Sequence, residues 1–181
     1  MSLGTFTLKM YWFDNGWSIK EFCDRYLYNC YIVDNMYEKV VIPTDGSDIA
    51  KKGVMEGLQM AKSLGVKAVA VYVLDTSEYQ GLHHASIKES AKHGLKETGD
   101  KALQDVEDIA RKMGVELEIK IEEGKPYKEI NKIAGERDII YISSHGLSGF
   151  TQFFLGSTTE RVLKHSNATV AVVMGGYVKT E

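Results

Sequence analysis

From Met36 onward this chain alternates short, wholly apolar runs with longer amphipathic stretches, and few architectures accept that pattern. Val40-Val41-Ile42 ends at Pro43, and Ala68 to Leu74 (AVAVYVL), Asp138 to Ser143 (DIIYIS) and Ala168 to Met174 (ATVAVVM) are apolar nearly throughout. A strand that is apolar on both faces is covered on both faces, which is the situation in a parallel sheet. Val115 to Ile121 (VELEIKI) alternates apolar with polar residues and suits a strand near an edge. Between these runs Asp48 to Leu64 carries Ile49, Val54, Leu58 and Ala61 at helical spacing, with Gly65 placed to end the helix. Ile87 to Met113 is a longer amphipathic helix closed by Gly114, Thr76 to Ser86 a loop, and Pro126 to Gly135 and Ser157 to His165 two shorter helices. Alternation of this kind predicts an α/β fold: a three-layer open parallel five-stranded sheet in the order 3-2-1-4-5 with right-handed crossovers. Ligands in such sheets sit beyond the carboxyl ends of the strands where the order reverses, here between strands 1 and 4.

Composition narrows the function classes. The 181 residues include 22 basic and 25 acidic side chains, a net charge of −3, which argues against a nucleic-acid binder. Two cysteines and no Cys-x-x-Cys exclude a disulfide framework and disfavour a zinc finger. No apolar run reaches the roughly 18 residues of a membrane span, and no secretory leader is apparent, so a cytoplasmic location is expected. Residues 1–35 differ from the rest: of the two Trp, ten Tyr and six Phe in the chain, nine lie there. Ile19, Phe22, Cys23, Tyr26, Leu27 and Cys30 share one helical face, with Ser18 and Glu21 placed as a capping box. We therefore expect a helix over 18–30 in an N-terminal extension 1–35, whose opening Met1-Ser2-Leu3 resembles the remnant of a tag. A domain over 36–176 and a tail over 177–181 complete the division.

The switch-point geometry singles out two segments. One is Pro43-Thr44-Asp45-Gly46-Ser47. The other runs Ser143-Ser144-His145-Gly146, then nine residues, then Gly156-Ser157-Thr158-Thr159 opening a helix. Small residues at a strand end let a ligand approach the backbone, and a helix N-terminus offers unpaired N–H groups and a favourable dipole to an anion. Asp45 reads equally as a turn aspartate, and His145 as a ribose contact or a turn residue. Arg161, one turn after Ser157, reads as a phosphate contact or a surface residue. His83, His84 and His93 lack a convincing ligand set for a metal. There is no Gly-x-Gly-x-x-Gly after strand 1 and no P-loop around Gly124-Lys125. With no nucleophile paired to a base and no carboxylates spaced for hydrolysis, a binding module is expected rather than a dedicated enzyme.

These two segments resemble the opening and closing signatures of the universal stress protein family over Met36 to about Met174. That family's nucleotide-binding members carry Gly-x-x-Gly-x9-Gly-Ser/Thr. Gly146, the nine-residue spacer and Gly156-Ser157 match it, and Ser143 stands where the first glycine would be. The resemblance implies an adenine nucleotide hydrolase-like fold and a site for ATP or another adenine nucleotide, with or without Mg2+. Pro43 and Thr44 would line the pocket, with Asp45 close to the nucleoside and Val73 beside the adenine. Ile142 and Ser143 would flank the ribose. Gly146, Gly156, Ser157 and Thr159, with Thr158 between them, would cradle the phosphates. It also implies a homodimer paired through strand 168–174. A non-nucleotide dimeric stress protein acting through a partner, and a slow ATPase, are the alternatives.

Overall fold

A computed structural model of the chain describes residues 36–79, 81, 84–144 and 155–174. The chain divides into two units, Met1–Tyr37 and Glu38–Glu181, and the account below concerns the second. The helix expected over 18–30 lies outside the described residues, as does the tail over 177–181.

The strands are β1 Lys39–Pro43, β2 Lys67–Asp75, β3 Leu117–Gly124, β4 Asp138–Ser143 and β5 Thr169–Val173. Four α-helices separate them: α1 Asp48–Leu64, α2 Ala85–Met113, α3 Pro126–Ile133 and α4 Ser157–His165. All pairings are parallel, in the order β3-β2-β1-β4-β5. The register sets Val40 beside both Ala68 and Ile139, and Val41 beside both Val69 and Ile140. The reason for the uninterrupted apolar runs is visible in the core. Val40 and Ile42 of β1 pack with Val54 and Leu58 of α1 and Leu103 and Val106 of α2. Val41, between them, packs on the other face with Ile130 of α3, Ile140 of β4 and Val162 of α4. Both faces of β1 are therefore buried, and Val40, Val41 and Ile42 are fully enclosed.

Local signals end the helices as the sequence predicts. Gly65 and Gly114 take left-handed conformations, φ 66° and 68°, and their N–H groups close the last turns of α1 and α2. Ser47 caps α1, its Oγ accepting from the Ala50 N–H at 3.2 Å. Several boundaries differ from expectation, most by one or two residues, and α3 ends at Ile133 rather than Gly135. The helix α2 starts at Ala85 rather than Ile87, and a 3-10 turn over Thr76–Glu78 occupies part of the expected loop, capped by the Asp75 carboxylate. The strand β3 is displaced by a few residues and continues through Glu122 and Glu123 to Gly124.

The acidic end of β3 is stable because its charge is met from other elements. Glu123 accepts from the Tyr79 hydroxyl at 2.6 Å and pairs with Lys92 Nζ of α2 at 2.6 Å. The Lys92 hydrogen bond, then the Tyr79 one, hold the Glu123 carboxyl below its usual range. Tyr79 is 2% exposed, and burial first, then the Glu123 carboxylate, push its phenol from 10.0 up to about 12. The neutral phenol is thus favoured in the folded chain. Its contribution is complete below pH 10.0 and is lost as pH rises toward about 12. Unfolding free energy should fall by on the order of 2 kcal/mol over that window from this group. Tyr79→Phe should flatten the alkaline decline while costing about 1 kcal/mol at neutral pH. Urea titrations at pH 7 and across the alkaline range read both effects, and an unchanged alkaline slope would rule out Tyr79 as its source.

Candidate functional site

At the reversal between β1 and β4 the strand ends open a cleft of about 240 Å3. The backbone leaving β1 forms its floor. Thr44, 8% exposed, donates its N–H to the Val71 carbonyl of β2 at 2.9 Å. Its Oγ1 accepts from the Gly46 N–H at 3.2 Å. Asp45 Oδ1 accepts from the Ser47 N–H at 2.9 Å, a side-chain turn that brings the chain into α1. Gly46 itself has φ 78°, the left-handed region, with Ala102 Cβ of α2 3.1 Å from where a methyl group would stand. Both the dihedral and the crowding therefore favour glycine there. Asp45 is consequently a turn aspartate and a cleft residue at once.

The opposite wall is the end of β4 and the start of α4. Thr159, 2% exposed, donates its hydroxyl to the Ser143 carbonyl at 3.0 Å and so ties helix to strand. Ser144 beyond it donates its N–H to the Val173 carbonyl of β5 at 3.0 Å. Gly156 occupies the N-cap of α4, with φ −60° and ψ 151°, and as glycine it brings no side-chain oxygen of its own to the first turn. The first turn of α4 carries backbone N–H groups with no intrahelical acceptor, together with the positive end of the helix dipole.

Pro43, Thr44, Asp45, Val73, Ile142, Ser143, Thr158 and Thr159 all line this cleft. Gly156 and Ser157 stand just upstream at the helix start and are not among its lining residues. His145 and Gly146 lie outside the described residues. Ser143 directs its hydroxyl away from the open space: the Oγ is buried, with no hydrogen-bond partner among the described residues. Arg161 is committed to the surface, its guanidinium 5.6 Å from the centre of the Tyr127 ring.

Seven lining residues escaped the sequence: Ile49 and Ala50 at the start of α1, Val71, Tyr72 and Asp75 of β2, and Pro126 and Ile130 of α3. Asp75 ends β2, where its Oδ1 accepts from the Ser77 N–H at 2.9 Å. Pro126 and Ile130 come from α3, which packs over the end of β2. Asp75 had a usable signal, as the polar residue ending an apolar run, whereas the approach of α3 is a tertiary fact with no local mark. Among the described residues no group of three or more His, Cys, Asp or Glu could hold a metal ion. None of their helices is long and apolar enough to cross a membrane.

The profile of the universal stress protein family matches residues 36–174. Universal stress protein MJ0531 of Methanocaldococcus jannaschii is 36% identical over 142 residues, covering 77% of this chain and 84% of that protein. The solved structure of MJ0577, from the same organism, is 29% identical with a TM-score of 0.64, over 78% of this chain and 99% of that one. A universal stress protein solved in complex with cAMP shares the fold, at 24% identity and a TM-score of 0.55, over 77% of this chain and 98% of its own. The family profile runs through every strand of the sheet and both walls of the cleft, and so the chain belongs to the universal stress protein family.

Proposed function

We propose that this protein binds an adenine nucleotide, ATP by preference, in the cleft between β1 and β4 and acts in stress response or regulation through its occupied state. The observation that carries this reading is the pairing of two features at one strand switch. A half-apolar cleft for a base and sugar adjoins a helix start whose N-cap is a glycine, with no side chain of its own over the first-turn N–H groups. The volume of about 240 Å3 is small for a ligand pocket, commonly roughly 300–1,000 Å3. In this reading the cleft takes the nucleoside, and the phosphates extend from its mouth toward α4. The solved relative with cAMP supports an adenine ligand.

In this reading Pro43, Val73 and Ile142 supply apolar contact to base and sugar, and Asp45 accepts from a hydroxyl or amino group. Thr158, Thr159 and the backbone of Gly156 and Ser157 hold phosphate. His145 and Gly146, next in the sequence after Ser144, are assigned to nucleotide binding by the family motif alone. Mg2+, where present, rides chiefly on the nucleotide's own phosphates. Among the described residues no side chain at the cleft pairs a nucleophile with a base, which favours binding over a slow ATPase.

The test is mass spectrometry of nucleotide released from freshly purified, denatured protein. A stoichiometric adenine nucleotide is expected. None released, together with no calorimetric binding of ATP and Mg2+ at millimolar concentration, would leave the non-nucleotide partner-binding reading in its place. We also propose a homodimer through β5, which pairs with β4 on one side and leaves its other edge to be covered. Sedimentation of the same preparation should give a dimer, and a monomer at micromolar concentration would contradict it.

A further inference from the structure

The position where the family's nucleotide motif has its first glycine carries Ser143, and the extra hydroxymethyl must go somewhere. In this protein it goes toward α1. The Ser143 Oγ is buried there with no hydrogen-bond partner among the described residues, against Gly53 in the second turn of that helix. A methyl group at Gly53 would overlap the Ser143 Oγ, far closer than side-chain carbons approach an oxygen. Its distances to Ser143 N and Cβ would be 3.4 and 3.5 Å, ordinary contacts or nearly so. In this rotamer the oxygen is the one Ser143 atom that a side chain at 53 would displace.

We propose that Gly53 and Ser143 are a matched pair: the missing side chain at Gly53 receives the Ser143 hydroxymethyl, keeps it out of the cleft, and so makes Gly53 a positioning residue for ligand binding. The link to binding rests on the adenine-nucleotide reading above. A side chain at 53 leaves Ser143 two exits. Rotation to another staggered position about Cα–Cβ turns the hydroxyl off α1 toward the cleft that Ser143 lines. A shift of the strand end instead moves the carbonyl that Thr159 holds, and with it the start of α4. Either route disturbs the wall that meets the ligand.

The experiment is a double-mutant cycle on the full chain with Gly53→Ala, Ser143→Ala and the pair combined. Calorimetry with ATP and Mg2+ reads binding, and thermal melting without nucleotide reads the fold. With Ser143 present, Gly53→Ala should weaken binding by about tenfold or more, the usual scale of an overpacked contact. In the Ser143→Ala background the same change should cost less than about twofold, since the offending oxygen is gone. Melting should reverse in sign. Gly53→Ala lowers the melting temperature beside serine and raises it beside alanine, where only the helix propensity of alanine over glycine remains.

Equal fold-changes in both backgrounds, or a lowered melting temperature in both, would overturn the pairing. If Gly53→Ala fails to fold beside serine, folding of the double variant is the rescue that supports the proposal, and its failure too would overturn it. Wild-type protein that binds no nucleotide overturns the adenine reading and the positioning role together, while the melting reversal still decides whether the two residues are matched.

Discussion

Gly156→Val is expected to abolish adenine-nucleotide binding, lowering affinity by about a hundredfold or more, while the far-ultraviolet circular dichroism spectrum stays nearly unchanged. The backbone at 156 has φ −60° and ψ 151°, a conformation open to any residue, so strain is not the cause. What changes is the space in front of the first turn of α4. An isopropyl group at the N-cap stands over N–H groups that would otherwise meet phosphate, and each lost bond to a charged group is worth about 1.5–3 kcal/mol. Two such losses exceed the hundredfold mark. The helix itself should persist, because valine at an N-cap costs only about 1 kcal/mol against the better caps. It remains anchored by fully buried Val162 and by the Thr159 hydroxyl on the Ser143 carbonyl. Calorimetry with ATP and Mg2+ measures the loss, and retained affinity would remove the phosphate role of this helix start.

Much of this site was legible in the sequence because strand ends announce themselves. Pro43 halts one apolar run and Ser143 another, and in a parallel sheet both must emerge at the same edge. Thr158 and Thr159 followed from their place at the opening of a helix. The acidic end of β3 was not legible: Glu122 and Glu123 break the apolar pattern, and the partner that makes Glu123 acceptable is Tyr79, 44 residues away in the chain. Pro126 and Ile130 reach the cleft only because α3 crosses the end of β2. Gly53 shows the same limit from another direction. Read locally it is a weak point in a helix, worth about 1 kcal/mol less than alanine. Its meaning appears only when Ser143, from the far side of the sheet order, is placed against it.

One helical turn beyond Gly53, Gly57→Val should be the most damaging change to the fold, costing about 3 kcal/mol or more. Gly57 is buried on the face of α1 that lies on β1 and β4. A methyl group there would stand 2.9 Å from both Cδ1 and Cγ1 of Ile42 and 3.1 Å from Cβ of Tyr141. Ile42 has no exposed surface into which to retreat, and α1 is held on its neighbouring turns by buried Val54 and Leu58. Valine adds two further carbons to a contact already closed to one, so overpacking of about 1–3 kcal/mol per misfit applies and the helix must lift from the sheet. A control separates this from glycine chemistry in general. Gly94, in α2, has nothing within 4 Å of a would-be methyl group, and Gly94→Ala should stabilise by up to about 1 kcal/mol through helix propensity alone. Urea unfolding should therefore move the two midpoints in opposite directions at similar slope. Gly57→Val with an unshifted midpoint would mean that α1 does not sit this close to the sheet, and the placement of Ser143 against Gly53 would lose its footing with it.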